Sequence, residues 1–142
     1  MKIERDRMKT IDDDELYWTE DGSYEYEDQP FTGLAREYSK DGKLIGETSY
    51  VDGLQDGTAR YWYPTGELRG EETFKRNGRT GLSRWWYPNG KLERETTFEH
   101  SIRVAEKEWN EQGAIVRDFV LKKEDPLFEI LERSRELDKK KR

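Results

Sequence analysis

Three consecutive stretches of this chain say nearly the same thing at a period of 24 residues, and nothing else in it constrains the fold as tightly. Gly33, Gly57 and Gly81 open the copies. Tyr38, Trp62 and Trp86 follow at one offset, and Gly42, Gly66 and Gly90 at another. Leu44, Leu68 and Leu92 match, as do Tyr50, Phe74 and Phe98. A unit this short cannot bury its own apolar face, so the repetition predicts stacked supersecondary units that share one continuous core.

The units read as β-hairpins. Turn signals recur at Asp41-Gly42, Asp52-Gly53, Thr65-Gly66, Asn77-Gly78 and Asn89-Gly90. Asp-Gly and Asn-Gly favour type I′ turns, whose central residues both take positive φ. The runs between them are rich in Tyr, Trp, Thr and Phe, which suit a pleated surface, and Pro64 and Pro88 flank the loops, where a missing amide costs little. The expected fold is all-β: an antiparallel meander of tandem β-hairpin repeats of about 24 residues, eight to ten strands in one layer, curled into a trough. Parity along the strands places Arg36, Arg60 and Arg84 on a face with Tyr38, Trp62 and Trp86, and sets Leu44 with Tyr50, Leu68 with Phe74, and Leu92 with Phe98. Those recurring apolar positions are the expected core. Glu47, Glu71 and Glu95 stand on the opposite face, as a ladder paired with basic residues of neighbouring strands.

The flanks divide accordingly. Residues 1–15 form a loosely held N-terminal segment with a short helix over 3–9. The repeat domain runs over 16–122: a degenerate first repeat over 16–32, full repeats over 33–56, 57–80 and 81–103, and a degenerate last repeat over 104–122. The turn at Glu99-His100-Ser101-Ile102 lacks glycine, so the array should lose register there. Residues 123–142 form a capping helix and basic tail. Asp125 followed by Pro126, then apolar residues at helical spacing, predicts a helix over about 126–138 that covers the edge of the final strand.

Composition narrows function. Charged residues make up 41% and apolar ones only 32%, so the 5 Trp and 8 Tyr must supply much of the buried area. One histidine and no cysteine leave neither a thiolate metal site nor a His-based catalytic cluster. His100 is expected as a solvated turn residue. The glycines follow turn geometry and form no phosphate-cradling loop. The chain is therefore expected to be no enzyme, with no cofactor and no metal. A net charge of −6 is the wrong sign for nucleic acid. No long apolar run spans a membrane, and the N-terminus lacks an apolar leader, so a cytoplasmic, monomeric protein is expected.

The sharpest asymmetry lies ahead of the repeats. From Thr10 to Ala35 there is no Lys or Arg, while nine acids occur, among them Asp12, Asp13, Asp14, Glu15, Glu20 and Asp21. Tyr24 and Tyr26 are interleaved with them. Clustered carboxylates with aromatic anchors suit a surface that meets a basic protein partner. Positions that vary between copies are the other candidates: Glu37, Tyr61 and Trp85 at one offset, and Tyr63 and Tyr87 where the first copy has Ser39.

The pattern G-x-x-[RK]-x-[YW]-x-x-x-G-x-L-x-x-E-x-x-[YF], preceded by Tyr17-Trp18, Asp21-Gly22 and Pro30-Phe31-Thr32-Gly33, resembles the bacterial variant of the MORN repeat, and in particular the YwqK-type antitoxin and immunity proteins. The resemblance implies an antitoxin that binds and occludes a cognate protein toxin, such as a basic nuclease or deaminase. The alternative is a MORN-repeat scaffold for protein association or membrane-surface attachment.

Overall fold

The computed structural model describes residues 9–141. The helix expected over 3–9 lies outside them but for Lys9, which opens strand β1 (Lys9–Asp12). A 3-10 turn (Asp13–Glu15) leads into a small three-stranded sheet of β2 (Tyr17–Trp18), β3 (Tyr24–Tyr26) and β4 (Gln29–Pro30). The repeats then supply β5 (Gly33–Tyr38), β6 (Leu44–Val51), β7 (Leu54–Trp62), β8 (Leu68–Lys75), β9 (Gly78–Arg79), β10 (Gly81–Trp86), β11 (Leu92–Glu99) and β12 (Ile102–Trp109). β13 (Ile115–Val120) ends the array and α1 (Pro126–Lys140) follows. The main sheet runs β1-β5-β6-β7-β8-β10-β11-β12-β13, with β9 paired to β8. The all-β meander expected from the repeat is therefore present, and so is its C-terminal helix, two residues longer than expected.

Two kinds of turn alternate along the meander. Two-residue turns have left-handed pairs at Asp52-Gly53 (φ 49 and 82), Arg76-Asn77 (48 and 70) and His100-Ser101 (50 and 65). His100-Ser101 thus keeps the geometry of its predecessors without glycine, but the expected loss of register does occur just after it: Thr96 pairs with Glu106 where, two copies earlier, Thr48 pairs with Ala59, so the last unit is one residue short. The second residue of each pair donates its amide to a carbonyl one repeat back: Gly53 to Phe31 (2.8 Å), Asn77 to Gln55 (2.8 Å) and Ser101 to Arg79 (3.0 Å). At the other side of the sheet only the glycine is left-handed, at Gly42, Gly66, Gly90 and Gly113. These loops begin with amides of Gly42, Gly66 and Gly90 donated to Ser39, Tyr63 and Tyr87 carbonyls, and are not the expected type I′ turns. A turn closed by one left-handed glycine adds a bulge to the strand beside it.

That bulge splits the expected core: Tyr50 and Phe74 are buried, whereas Leu44, Leu68 and Leu92 are only half-buried. The register skips one residue between Glu37 and Tyr38, and again between Tyr61 and Trp62 and between Trp85 and Trp86. Leu44 thereby falls opposite Tyr38, whereas Tyr50 lies opposite Gly33. The buried residues are those sharing the Ala35 face, Tyr50 and Phe74 among them. Ala35, Thr48, Ala59 and Glu72 face one another strand by strand, and Ser83, Thr96, Glu106 and Phe119 continue the row. Ala35, Ala59, Glu72, Ser83, Thr96 and Glu106 are all buried, while Tyr38 is 43% exposed. Such burial on one face of a single-layer sheet marks it as the inner, crowded face, where small residues fit. At its N-terminal end this face is covered by the β2–β4 unit: Tyr24 and Tyr26 pack against Ile11, Phe31, Ala35 and Tyr50. Ile11 is 6% exposed and β1 pairs in parallel with β5, so residues 9–12 are tied down, contrary to the expected loose terminus.

The outer face carries a charge row. Asp12, Arg36, Glu47, Arg60, Glu71, Arg84, Glu95, Lys107 and Asp118 occupy successive strands at one level of the register. Arg36–Glu47 (2.8 Å), Arg60–Glu71 (3.1 Å) and Arg84–Glu95 (2.8 Å) are ion pairs related by the 24-residue period. The glutamates are the ladder expected, but the arginines share their face and do not belong to the core. Each half-exposed pair contributes a few tenths of a kcal/mol. Glu71→Lys, flanked by Arg60 and Arg84, should cost about 1 kcal/mol and lower Tm by roughly 3 °C at low salt. High salt should restore most of it; a salt-independent loss would contradict the charge-row account.

α1 does not cover the last strand. Arg135 forks Glu99 with bonds of 3.0 and 2.7 Å, and His100 Nε2 lies 2.8 Å from Asp138, so the helix docks on the β11–β12 turn. Leu131 is its buried residue, 1% exposed. Ile115, Val116 and Val120 of β13 remain more than half exposed. The Asp125 side chain accepts the Lys122 amide at 2.9 Å and makes no bond to the helix it precedes.

Candidate functional site

The acidic leader is ordered and pinned to the two-residue-turn edge of the main sheet. Tyr24 donates its amide to Gly53 (2.7 Å), Gly53 donates to Phe31 (2.8 Å), and the Asn77 side-chain amide reaches Gly22 (3.0 Å). Asp12, Asp13, Asp14, Glu15, Glu20 and Asp21 are all exposed on it. The Glu15 carboxylate accepts the Asp12 amide at 3.1 Å. Partial burial, reinforced by the Asp14 charge, raises the Asp13 pKa. Asp21 accepts the hydroxyls of Thr19 and Ser23, which hold its carboxyl below the ordinary range. The ion pair here is Lys9–Glu27, at 4.0 Å and well exposed, so the segment presents a largely uncompensated negative field.

Its aromatics divide. Tyr24 stands edge-on to Tyr50 at 5.2 Å, and Tyr26 to Phe31 at 5.9 Å, with the Lys9 ammonium over Tyr26. These two expected contact residues therefore spend their rings on the core. Trp18 and Tyr17 are the open ones, 57% and 45% exposed. The Tyr17 hydroxyl donates to Asp28 (2.8 Å) and Glu25 (3.1 Å), which raises its pKa.

The expected variable positions come together only in part. Glu37, Gly46, Tyr61, Gly70, Trp85 and Arg94 form one row of the inner face. Tyr61 and Trp85 stack at 5.2 Å with 14° between their planes. Gly70 makes this possible: a Cβ there would lie 2.4 Å from the Trp85 ring. Burial, then the Glu72 charge 3.2 Å from its hydroxyl, pushes the Tyr61 phenol well up. Tyr63 and Tyr87 take another role, donating their hydroxyls to the carbonyls of Trp86 (2.7 Å) and Trp109 (2.9 Å), where they staple one repeat to the next. Ser39, without a phenol, accepts the Lys43 amide of its own loop.

Beside that row lies a charged group that the sequence reading did not single out. Glu72 meets Arg79 (3.2 Å); Glu106 meets Thr96 (2.9 Å), Arg103 (3.1 Å) and Arg117 (2.9 Å). Both glutamates are 6% exposed. The signal was available in the repeat, because positions 24 apart read Phe31, Gln55, Arg79, Arg103 and Gly46, Gly70, Arg94. Among the described residues no cluster of acids and histidine is arranged to hold a metal ion, and no helix is long and apolar enough to cross a membrane.

Compared with known families, the chain matches the MORN repeat variant three times in tandem, over residues 31–52, 55–76 and 79–100. Neither the curated proteins nor the solved structures return a match to it.

Proposed function

With three tandem MORN repeats as its middle, we propose that this chain is a non-catalytic binding protein of the antitoxin or immunity kind, which neutralises a basic toxin by covering its active cleft. MORN repeats themselves point only to an association scaffold, for protein or for membrane. The observation that supports the finer reading is the leader. Its exposed acids and open Trp18 are held on an ordered sheet, not on a free tail. A preformed acidic surface with an aromatic anchor suits a nuclease or deaminase cleft, which is basic because it holds phosphates. Occlusion needs no reacting group, no cofactor and no second copy of the chain, and the proposed setting is the cytoplasm.

The experiment is coexpression with the product of the adjacent reading frame. Growth should be restored, and the purified pair should associate at a rate that falls steeply with ionic strength. Changing Asp12, Asp13, Asp14 and Glu15 together to Asn and Gln should weaken the complex by about tenfold or more. A harmless neighbour, or a complex indifferent to salt and to these four acids, would sink the reading.

One observation favours a second reading, attachment to a membrane surface. Leu127, Ile130 and Leu137 of α1 are 49%, 52% and 59% exposed on one stripe, next to Lys139, Lys140 and Lys141. Flotation with anionic vesicles, lost in Ile130→Glu, would support it; no flotation would remove it.

A further inference from the structure

The inner face changes character along the array while its backbone does not. In the first copy it is apolar but for the exposed Glu37: Phe31, Ala35 and Tyr50 form a core cluster with Ile11. Two repeats on, the places of Phe31, Ala35 and Gly46 are taken by Arg79, Ser83 and Arg94. Stability does not ask for this exchange. Burying ion pairs is rarely better than filling the same volume with apolar groups, and the first copy shows that the scaffold accepts apolar groups there.

These residues open onto a cleft of about 310 Å³, a volume in the range of small-molecule sites. Its two buried carboxylates are already served. Glu72 is held by Arg79 and the Tyr61 hydroxyl, and Glu106 by Arg103, Arg117 and Thr96. Arg94 is not served: among the described residues no carboxylate lies within ion-pair distance of it, and its guanidinium rests 5.7 Å from the Trp85 ring centroid. The Trp85 indole is held by its N–H bond to Ser83 at 3.2 Å.

We propose that this cleft binds a small monocarboxylate with a flat apolar body, its carboxylate forked by Arg94 and its body laid against Trp85 and Phe98. The charge balance selects the class. Four guanidiniums stand in and beside the cleft, those of Arg79, Arg94, Arg103 and Arg117, against the carboxylates of Glu72, Glu106 and Glu108, the last opposite Arg94 on the neighbouring strand. One unit of positive charge is left, which a carboxylate meets and a phosphate monoester, at about −1.5 to −2, overshoots. The guanidinium fork matches a carboxylate in two parallel bonds. Trp85 and Phe98 would then hold the body of the ligand by apolar contact. The site is separate from the acidic leader and stands whether or not the leader binds a toxin.

The test is an NMR titration of 15N-labelled protein, with the Trp85 indole N–H assigned through Trp85→Phe. Benzoate should shift that signal saturably, acetate should bind more weakly for want of a ring, and inorganic phosphate should leave the signal in place. Arg94→Gly restores the residue that the first two copies carry and should leave the amide spectrum folded while weakening benzoate by about tenfold or more. Arg94→Gln, which keeps the stem without the charge, should do the same, and Arg94→Lys should recover part of the affinity. The proposal is overturned if benzoate causes no saturable shift, if both Arg94 variants bind it as the parent does, or if phosphate binds as tightly as benzoate.

Discussion

Alanine at position 33 should cost the protein about 3 kcal/mol and lower Tm by roughly 10 °C. Gly33 sits at φ +150, a conformation that side chains rarely adopt. A Cβ there would lie 2.2 Å from the Lys9 carbonyl oxygen and 2.8 Å from the Phe31 ring. One neighbour is backbone and the other is 3% exposed in the core cluster, so neither can give way without loss. β1 would be pushed off β5, and with it the parallel pairing that anchors the acidic leader. Gly42→Ala is the control: it is left-handed at +80 with nothing within 4 Å, so only the backbone term remains, about 1 kcal/mol. Urea unfolding of the two variants measures the difference. Equal losses would mean that close approach to β1 contributes nothing.

Leu131→Ala should release α1 without unfolding the sheet. The side chain is 1% exposed, and truncation of such a residue costs about 3 kcal/mol. The polar anchors cannot hold the helix alone. Arg135–Glu99 is partly exposed on both sides, and so is His100–Asp138, and such pairs contribute little. In a repeat array each unit leans only on its neighbours, so a terminal element can detach by itself. The measurement is limited proteolysis between Leu121 and Pro126, which should quicken by about a hundredfold while the β-sheet circular dichroism persists. A single cooperative unfolding of sheet and helix together would show that α1 is integral to the array.

How far the fold was legible follows from where its physics resides. Strand number, hairpin pairing and the terminal helix are short-range properties, fixed by turn residues every dozen positions and by Asp125-Pro126. The choice of face was not legible by parity alone, because one bulge beside each glycine loop shifts Leu44 out of phase with Tyr50. The small residues Ala35, Ala59 and Ser83 carried the better signal: the crowded inner face takes small side chains, and they recur at the period as faithfully as the tryptophans do. Of the residues expected to meet a partner, the acids of the leader lie exposed, while Tyr61 and Trp85 are half-buried and stacked on each other. Tyr63 and Tyr87 could not be placed from sequence, since their bonds run to carbonyls in the next copy. Arg94 stands on a second strand, where its departure from Gly46 and Gly70 is the signal the sequence carries.

The alternation of sign across the outer face has a consequence for how such a chain can change its length. Loss of any single interior strand would set one pair of like charges side by side, Arg60 next to Arg36 or Glu71 next to Glu47, which penalises the shortened sheet at that junction. Loss or gain of two strands leaves the sequence of signs intact. The row therefore works as a parity check on inheritance: it favours insertions and deletions of whole hairpins over halves, so that duplication can lengthen the sheet without setting like charges side by side.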